Sequence, residues 1–318
     1  MPGGANMKTA VDVQAVSKRF GDMVAVDNLS FAVAQGEIFG LLGPNGAGKT
    51  TSINLITGML SRDSGDIYVL GLDPQREARQ VHQNIGFVPQ DTNVYLDLNA
   101  IDNLWHHAAL YCQDLSSVKE KAAKSLTMMN LWERRKDPVR TFSGGMKRRL
   151  ALARALLHEP AIVFFDEPTL GVDVQGKHVL WQHIRDQREN GRSFIISTND
   201  MAEAEALCDR LVIIDHGRVI ALDTPEALKA NLGRDIVTVR TTRAIANPDS
   251  FFAELPIQQI SAIDQAGKKL RLEVQNAEAI VGELVTRISR HYQLESIRMT
   301  RPTLDDVFLH FTGRGLRE

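Results

Sequence analysis

Eight consecutive residues, Gly43, Pro44, Asn45, Gly46, Ala47, Gly48, Lys49 and Thr50, fit the G-x-x-x-x-G-K-[S/T] pattern without a gap. The glycines let the backbone wrap an anion, so that successive N–H groups point inward as a nest. A helix starting at Lys49 brings the positive end of its dipole to the same place, with Thr51 in its first turn. Lys49 supplies a point charge for the β- and γ-phosphates of a nucleotide, and the Thr50 hydroxyl is a hard oxygen ligand for Mg²⁺. The pattern arises by chance in roughly one chain in a hundred of this length, and residues 171–178 illustrate the risk. Gly171, Gly176 and Lys177 match it, but His178 stands where Ser or Thr is needed and no buried strand leads into it. The first stretch follows a strand-like run and precedes a helix-like one, as a phosphate loop requires.

Two further groups bear on the same chemistry. Asp166 and Glu167 close the apolar run 161–165, and the carboxyl edge of a parallel sheet is where ligands bind. Asp166 is placed to hold Mg²⁺ directly or through water, and Glu167 to orient or deprotonate an attacking water. An acidic pair at a strand end is otherwise an ordinary strand-to-loop transition; the phosphate loop gives it the catalytic reading. Ser143, Gly144, Gly145 and Met146 lead into a helical stretch, 147–157. Ser143 suits an N-cap, and the glycines permit a second anion to approach that terminus. Alone, that sequence is only a cap.

The elements that must position these groups follow from periodicity. Residues 11–16 alternate apolar and polar, as a half-buried strand does, whereas 37–42 are nearly continuous apolar, as a strand covered on both faces is. Residues 49–60 read as a helix, 91–140 as mainly helical, and 161–165 and 193–196 as further buried strands. Strands alternating with helices predict a parallel α/β sheet. Residues 211–214 and 218–222, joined by Asp215, His216 and Gly217, predict a hairpin at its end. Thr224 and Pro225 start a helix that Gly233 is placed to stop. Beyond it, 235–240 and 270–274 alternate like strands, a turn through Gln265 and Gly267 precedes the second, and 277–291 is helical. Thr303 with Asp306 forms an acidic capping box, followed by an apolar stripe of Leu304, Val307, Phe308 and Phe311. A domain of 8–232 and a small α+β domain of 233–318 are expected.

Bulk properties set the outer limits. The chain has 318 residues, 37 basic and 39 acidic, for a net charge of −2; 43% are hydrophobic and 24% charged. That is an ordinary globular mixture, without the basic excess of a nucleic-acid binder. No apolar run approaches the ~18–20 residues that span a bilayer, and the first ten residues hold no secretory signal. Cys112 and Cys208 form no disulfide framework and suit a reducing cytosol. His106 and His107 are adjacent, so on a helix they point apart, and a packed or solvated pair is the expectation rather than a metal site.

Taken together and in order, the phosphate loop, Gln90 after a strand, the Ser143-Gly144-Gly145-Met146 signature, Asp166 with Glu167, and Asp173 in a following loop resemble the ATP-binding cassette family over about 8–232. The resemblance implies a P-loop nucleoside-triphosphatase fold: a mostly parallel sheet core, an antiparallel β subdomain and a helical subdomain. It implies that Phe20 stacks on adenine, that Gln90 contacts Mg²⁺ and senses a membrane partner, and that two copies, identical or not, sandwich two ATP molecules. Each signature then meets the γ-phosphate held by the other copy's phosphate loop, beside Asp173. The 202–209 and 302–308 stretches are similar to the separate ATPase subunits of daunorubicin-resistance-type exporters. By that likeness the permease is another polypeptide, the chain sits at the cytoplasmic face of the cell membrane through it, and 233–318 serves dimerisation or regulation. The permease is expected near Gln90 and the helical segment after it, with Leu104 and Trp105 as an apolar contact.

Two positions depart from the family pattern. Met146 stands where the signature usually ends in glutamine, a change this exporter-like branch tolerates. Asn199 stands where the family places its switch histidine; an amide donates a neutral hydrogen bond but carries no charge and shuttles no proton. ATP binding with slow intrinsic hydrolysis is therefore expected. Two rival readings stay open: a weakly catalytic or non-catalytic regulatory module, and a soluble cassette protein acting on ribosomes or DNA. Against the second, the chain has one cassette, no charged linker between two cassettes and no inserted coiled coil.

Overall fold

The computed structural model describes residues 8–111, 116–232, 235–262, 264, 266–300 and 302–312. The chain divides into two units, 1–225 and 226–316.

The first unit opens with a hairpin, β1 (Thr9–Phe20) and β2 (Met23–Ala34), then β3 (Ile38–Leu42) and α1 (Lys49–Ile56). β4 (Ser64–Val69), α2 (Ala78–Asn84) and β5 (Ile85–Val88) come next, before α3 (Ala100–Tyr111), α4 (Val118–Met128) and α5 (Gly144–Ala155). The unit closes with β6 (Ile162–Asp166), α6 (Val174–Glu189), β7 (Ser193–Thr198), α7 (Met201–Leu207), β8 (Arg210–Asp215) and β9 (Arg218–Asp223). Two sheets result. One is antiparallel, in the order β2-β1-β4; the other runs β5-β6-β7-β3-β8-β9, parallel except for β9. The apolar runs decide this arrangement: every residue of β3, β6 and β7 is buried, which only inner strands covered on both faces satisfy. β3 and β6 lie on either side of β7, so the segments after all three open on the same sheet edge.

α1 is shorter than the sequence suggests. It stops at Ile56, and Gly58 turns the chain at φ 75°. Between β5 and β6 the helical expectation resolves into α3, α4, two short 3-10 turns and α5. The adjacent histidines are packed or solvated as expected: His107 stacks on Tyr111 at 4.4 Å, and His106 lies against Tyr95. Leu104 corrects the expected permease contact. It is fully buried on α3, while Trp105, one residue on, is 40% exposed; successive helical residues point about 100° apart, so the pair cannot share one outer face. Cys208 is buried, and burial pushes its thiol well above the usual range; Cys112 lies outside the described residues.

The second unit carries α8 (Pro225–Asn231), β10 (Asp235–Thr241), α9 (Pro248–Phe251), β11 (Ile257–Ala262), β12 (Lys269–Val274), α10 (Ala277–His291), β13 (Leu294–Thr300) and α11 (Leu304–Thr312). Its sheet is antiparallel, in the order β11-β12-β10-β13, and its core gathers around Val237, Leu272, Leu284 and Ile288. The division into units falls after Pro225, the first residue of α8; Gly233 and Gln265 lie outside the described residues. The capping box forms as written: Thr303 N–H donates to the Asp306 carboxylate at 2.9 Å and Asp306 N–H to the Thr303 hydroxyl at 3.3 Å. Leu304, Val307 and Phe308 are buried, but Phe311 in the last turn is 44% exposed. No described helix is long and apolar enough to cross a membrane.

Candidate functional site

In the loop between β3 and α1, Gly43 and Gly48 leave no room for a side chain. A Cβ on Gly43 would meet the Ile214 carbonyl oxygen at 2.2 Å; Gly48 lies at φ 102°, where a Cβ would sit 2.5 Å from the Ala25 oxygen. Gly48 caps α1 without a side-chain acceptor, and the first bond of the helix runs from Ser52 N–H to the Gly48 oxygen. The amides of Lys49, Thr50 and Thr51 therefore have no acceptor within the helix and converge at its positive end.

Lys49 is buried and folds back over the loop, donating to the carbonyls of Gly43 at 2.8 Å and Pro44 at 3.1 Å. Its Nζ lies 3.7 Å from Glu167 Oε1. Burial pushes the ammonium below the usual lysine range, against the opposing pull of Glu167 and Asp166. Thr50 Oγ1 donates to Asp166 Oδ2 at 2.9 Å, and Ser197 donates to the other carboxylate oxygen. Asp166 is thus held by hydroxyls from α1 and β7, the elements on either side of it. Glu167 leaves the strand at φ 49°, a left-handed conformation uncommon outside glycine, and its N–H bonds the Ser197 carbonyl at 3.0 Å.

Asn199 follows β7, and its Nδ2 donates to Asn45 Oδ1 at 3.3 Å, tying the switch position to the phosphate loop. Beneath them Glu203 is buried; Trp181 Nε1 donates to it at 3.1 Å, and Thr198 and Thr169 also bond it. Burial raises its carboxyl above the usual range despite those donors. It braces the segments after β6 and β7 from below.

A cavity of about 580 Å³ gathers Asn45, Gly46, Gly48, Lys49, Thr50, Thr51, Gln90, Glu167 and Asn199. Gly43 and Pro44 contribute carbonyls to Lys49, Ala47 is buried under the loop, and Asp166 sits behind Thr50. The Thr50 hydroxyl, the Asp166 carboxylate and the Gln90 amide offer hard oxygens, a donor set that suits Mg²⁺.

Besides Gly43, Pro44, Ala47 and Asp166, which sit behind the lining, six expected residues lie away from this cavity: Phe20, Ser143, Gly144, Gly145, Met146 and Asp173. Phe20 is exposed at the end of β1, with Lys18 Nζ 5.7 Å from its ring centroid. The other five share a surface of their own. Ser143 caps α5 by accepting from Met146 N–H at 3.2 Å, and Asp173 caps α6 by accepting from Gly176 N–H at 2.6 Å. A Cβ on Gly144 would sit 3.6 Å from the Gly171 oxygen, so the signature and the Asp173 loop lie side by side.

Met23, Val24, Ala25 and His216 line the cavity without having been singled out from sequence, and Leu170 joins them from the start of the loop that carries Asp173. Met23 pairs with Phe20 across the β1–β2 turn, so exposed apolar residues just after an expected aromatic were the available signal. His216 arrives through the β8–β9 turn, where Gly217 N–H bonds the Ala47 carbonyl at 2.9 Å; nothing local to that turn announces the phosphate loop.

Residues 26–170 match the family model described as ABC transporter, and 224–312 match that of the C-terminal domain of DrrA1-3-like ATP-binding proteins. The linearmycin resistance ATP-binding protein LnrL of Bacillus subtilis is 36% identical over 97% of this chain and all of its own. The Nod factor export ATP-binding protein I of Burkholderia orbicola is 36% identical over 97% of this chain and 98% of its own. A solved ATP-binding subunit of an ABC transporter superposes with a TM-score of 0.65 at 28% identity, over 71% of this chain and 94% of that one. An ATP-binding cassette in its ADP conformation gives 0.63 at 26% identity, over 69% and 92%.

Proposed function

The chain belongs to the ATP-binding cassette family as an ATP-hydrolysing transporter subunit, and from that premise we propose that it drives export through a separate membrane permease, closing as a dimer around ATP. The observation that carries the reading is the convergence of Lys49, Thr50, Glu167 and Asn199 on one cavity at the carboxyl edge of the parallel sheet. The outward direction draws on a relative named for Nod factor export. Docked on its permease, the chain sits peripherally at the cytoplasmic face of the membrane.

In this reading the loop amides and Lys49 bind the phosphates, and the Lys49 ammonium offsets the charge that builds on them. Glu167 accepts the proton of the attacking water. Asn199 donates a neutral hydrogen bond to the terminal phosphate. Thr50, Asp166 and Gln90 would hold Mg²⁺, which would supply charge neutralisation at the phosphates. Phe20 and its neighbour Met23 flank the base, and Ser143, Gly144, Gly145, Met146 and Asp173 serve the nucleotide of the second copy. Residues 233–318 form the accessory domain.

Hydrolysis of Mg-ATP and nucleotide affinity, measured on the unaltered chain, K49A and E167Q, test this. E167Q is expected to bind ATP normally and to lose turnover by about 10²–10⁴-fold, the range for a general base; K49A loses affinity. Turnover of E167Q equal to that of the unaltered chain would leave a non-catalytic regulatory module as the better reading.

A further inference from the structure

Arg148 lies on α5, just beyond the signature, and is 3% exposed. Its Nε donates to the Pro168 carbonyl at 2.8 Å, Nη1 to Pro89 and Gln90 at 2.5 and 3.1 Å, and Nη2 to Asp166 and Glu167 at 2.9 and 3.0 Å. A guanidinium has five N–H donors, and these five carbonyls account for every one.

The acceptors come from two places. Pro89 and Gln90 follow β5; Asp166, Glu167 and Pro168 are the end of β6 and the turn after it. One side chain therefore gathers the backbone that carries Gln90 and the backbone that carries Glu167, and fixes both to α5. The consequence is sharpest at Glu167. Its left-handed φ of 49° costs energy for a residue with a Cβ, yet both of its peptide groups are tethered: the N–H by Ser197, the carbonyl by Arg148. A guanidinium keeps its charge at neutral pH, so all five donors persist there.

We propose that Arg148 is a positioning residue for ATP hydrolysis: acting only through backbone carbonyls, it aims the Glu167 carboxylate and locks the Gln90 segment to the signature helix. The proposal rests on Glu167 being the base. Lysine does not suffice in its place, because an ammonium is a point charge with three donors and cannot span five carbonyls in a plane.

The test uses the full chain with R148K, R148M and E167Q in parallel. A small misplacement of a catalytic group costs up to about a hundredfold. The expectation for both Arg148 variants is a kcat lower by about ten- to a hundredfold, with KM for ATP and affinity for ADP within about threefold of the unaltered chain. A wild-type kcat in R148K, or parallel loss of kcat and ADP affinity in both Arg148 variants, overturns the proposal. E167Q separates the two claims. An active E167Q removes the base reading and with it anything for Arg148 to aim; an inactive E167Q beside a fully active R148K removes the Arg148 proposal alone. Hydrogen exchange of the unaltered chain gives a second readout that does not depend on the variants folding. The hydrogen-bonded amides of Glu167, Leu170 and Lys147 are expected to share one opening free energy, and clearly separate values for Lys147 on α5 and for the Glu167–Leu170 turn overturn the proposal.

Discussion

Asn199 tests how much of the switch position depends on charge. The side chain reaches the phosphate loop through Asn45, so the donor is in place and only the charge and the transferable proton of an imidazole are missing. A single neutral hydrogen bond contributes on the order of 1 kcal/mol, a factor of roughly five in rate. N199A is therefore expected to slow hydrolysis about fivefold. N199H is expected to raise it and to give kcat a new pH dependence around ~6.5, where an imidazole titrates. Steady-state turnover across that range is the measurement; identical profiles for all three proteins would take Asn199 out of the mechanism. This position was legible only through the order of motifs, since nothing about an asparagine after a buried strand announces a phosphate contact. Arg148 was not legible at all. Its partners are five carbonyls from segments about twenty and sixty residues away, and a backbone carbonyl is the same in every residue type.

Elements were legible in proportion to how locally they are determined. α11 follows from its own residues: the capping box supplies its first amides with acceptors, and the apolar spacing selects a face. T303A is expected to lower the stability of the second unit by about 1 kcal/mol, read as an earlier midpoint in urea. What periodicity could not supply was which neighbour covers a face. β4 beside β1 and β13 beside β10 are pairings between distant segments, and Leu104 and Trp105, alike in hydrophobicity, part company because one rotation step along α3 moves a side chain from core to surface. The same helix predicts an acid sensitivity. Burial and the nearby Arg154 and His158 push His107 from 6.5 down to about 3, and burial also lowers His158, which bonds the Ile85 carbonyl of β5. Both groups bind fewer protons folded than unfolded. Their share of stability is thus complete above about 6.5 and is lost as the pH falls towards the folded values. The melting temperature is expected to drop between pH ~7 and ~5, and H107F, which keeps the stack on Tyr111, should shrink that drop; equal slopes would assign the acid sensitivity elsewhere.

At the scale of the molecule, the chain separates two surfaces that its proposed chemistry needs together. The cavity holds the phosphate loop, Gln90, Glu167 and Asn199, while Ser143, Gly144 and Asp173 lie exposed beside one another and do not line it. The proposed dimer would bring them together, because a two-fold axis makes an interface isologous, so that one copy's signature set against the other's loop would form both contacts at once. A net charge of only −2 sets little repulsion against that pairing. In that dimer the nucleotide would act as the link, binding the paired state with two sets of donors and the single chain with one; a ligand shifts an equilibrium only by such a difference. In an E167Q background, ATP is expected to convert monomer to dimer in sedimentation while ADP does not. Adding S143R puts a long cationic side chain at the cap of α5, which should abolish the dimer and leave the affinity of the single chain for ATP unchanged. Were the double variant to dimerise like its parent, the exposed signature would not be the surface that meets the partner's nucleotide; were both variants to stay monomeric at saturating ATP, one chain would have to complete its site without a second copy.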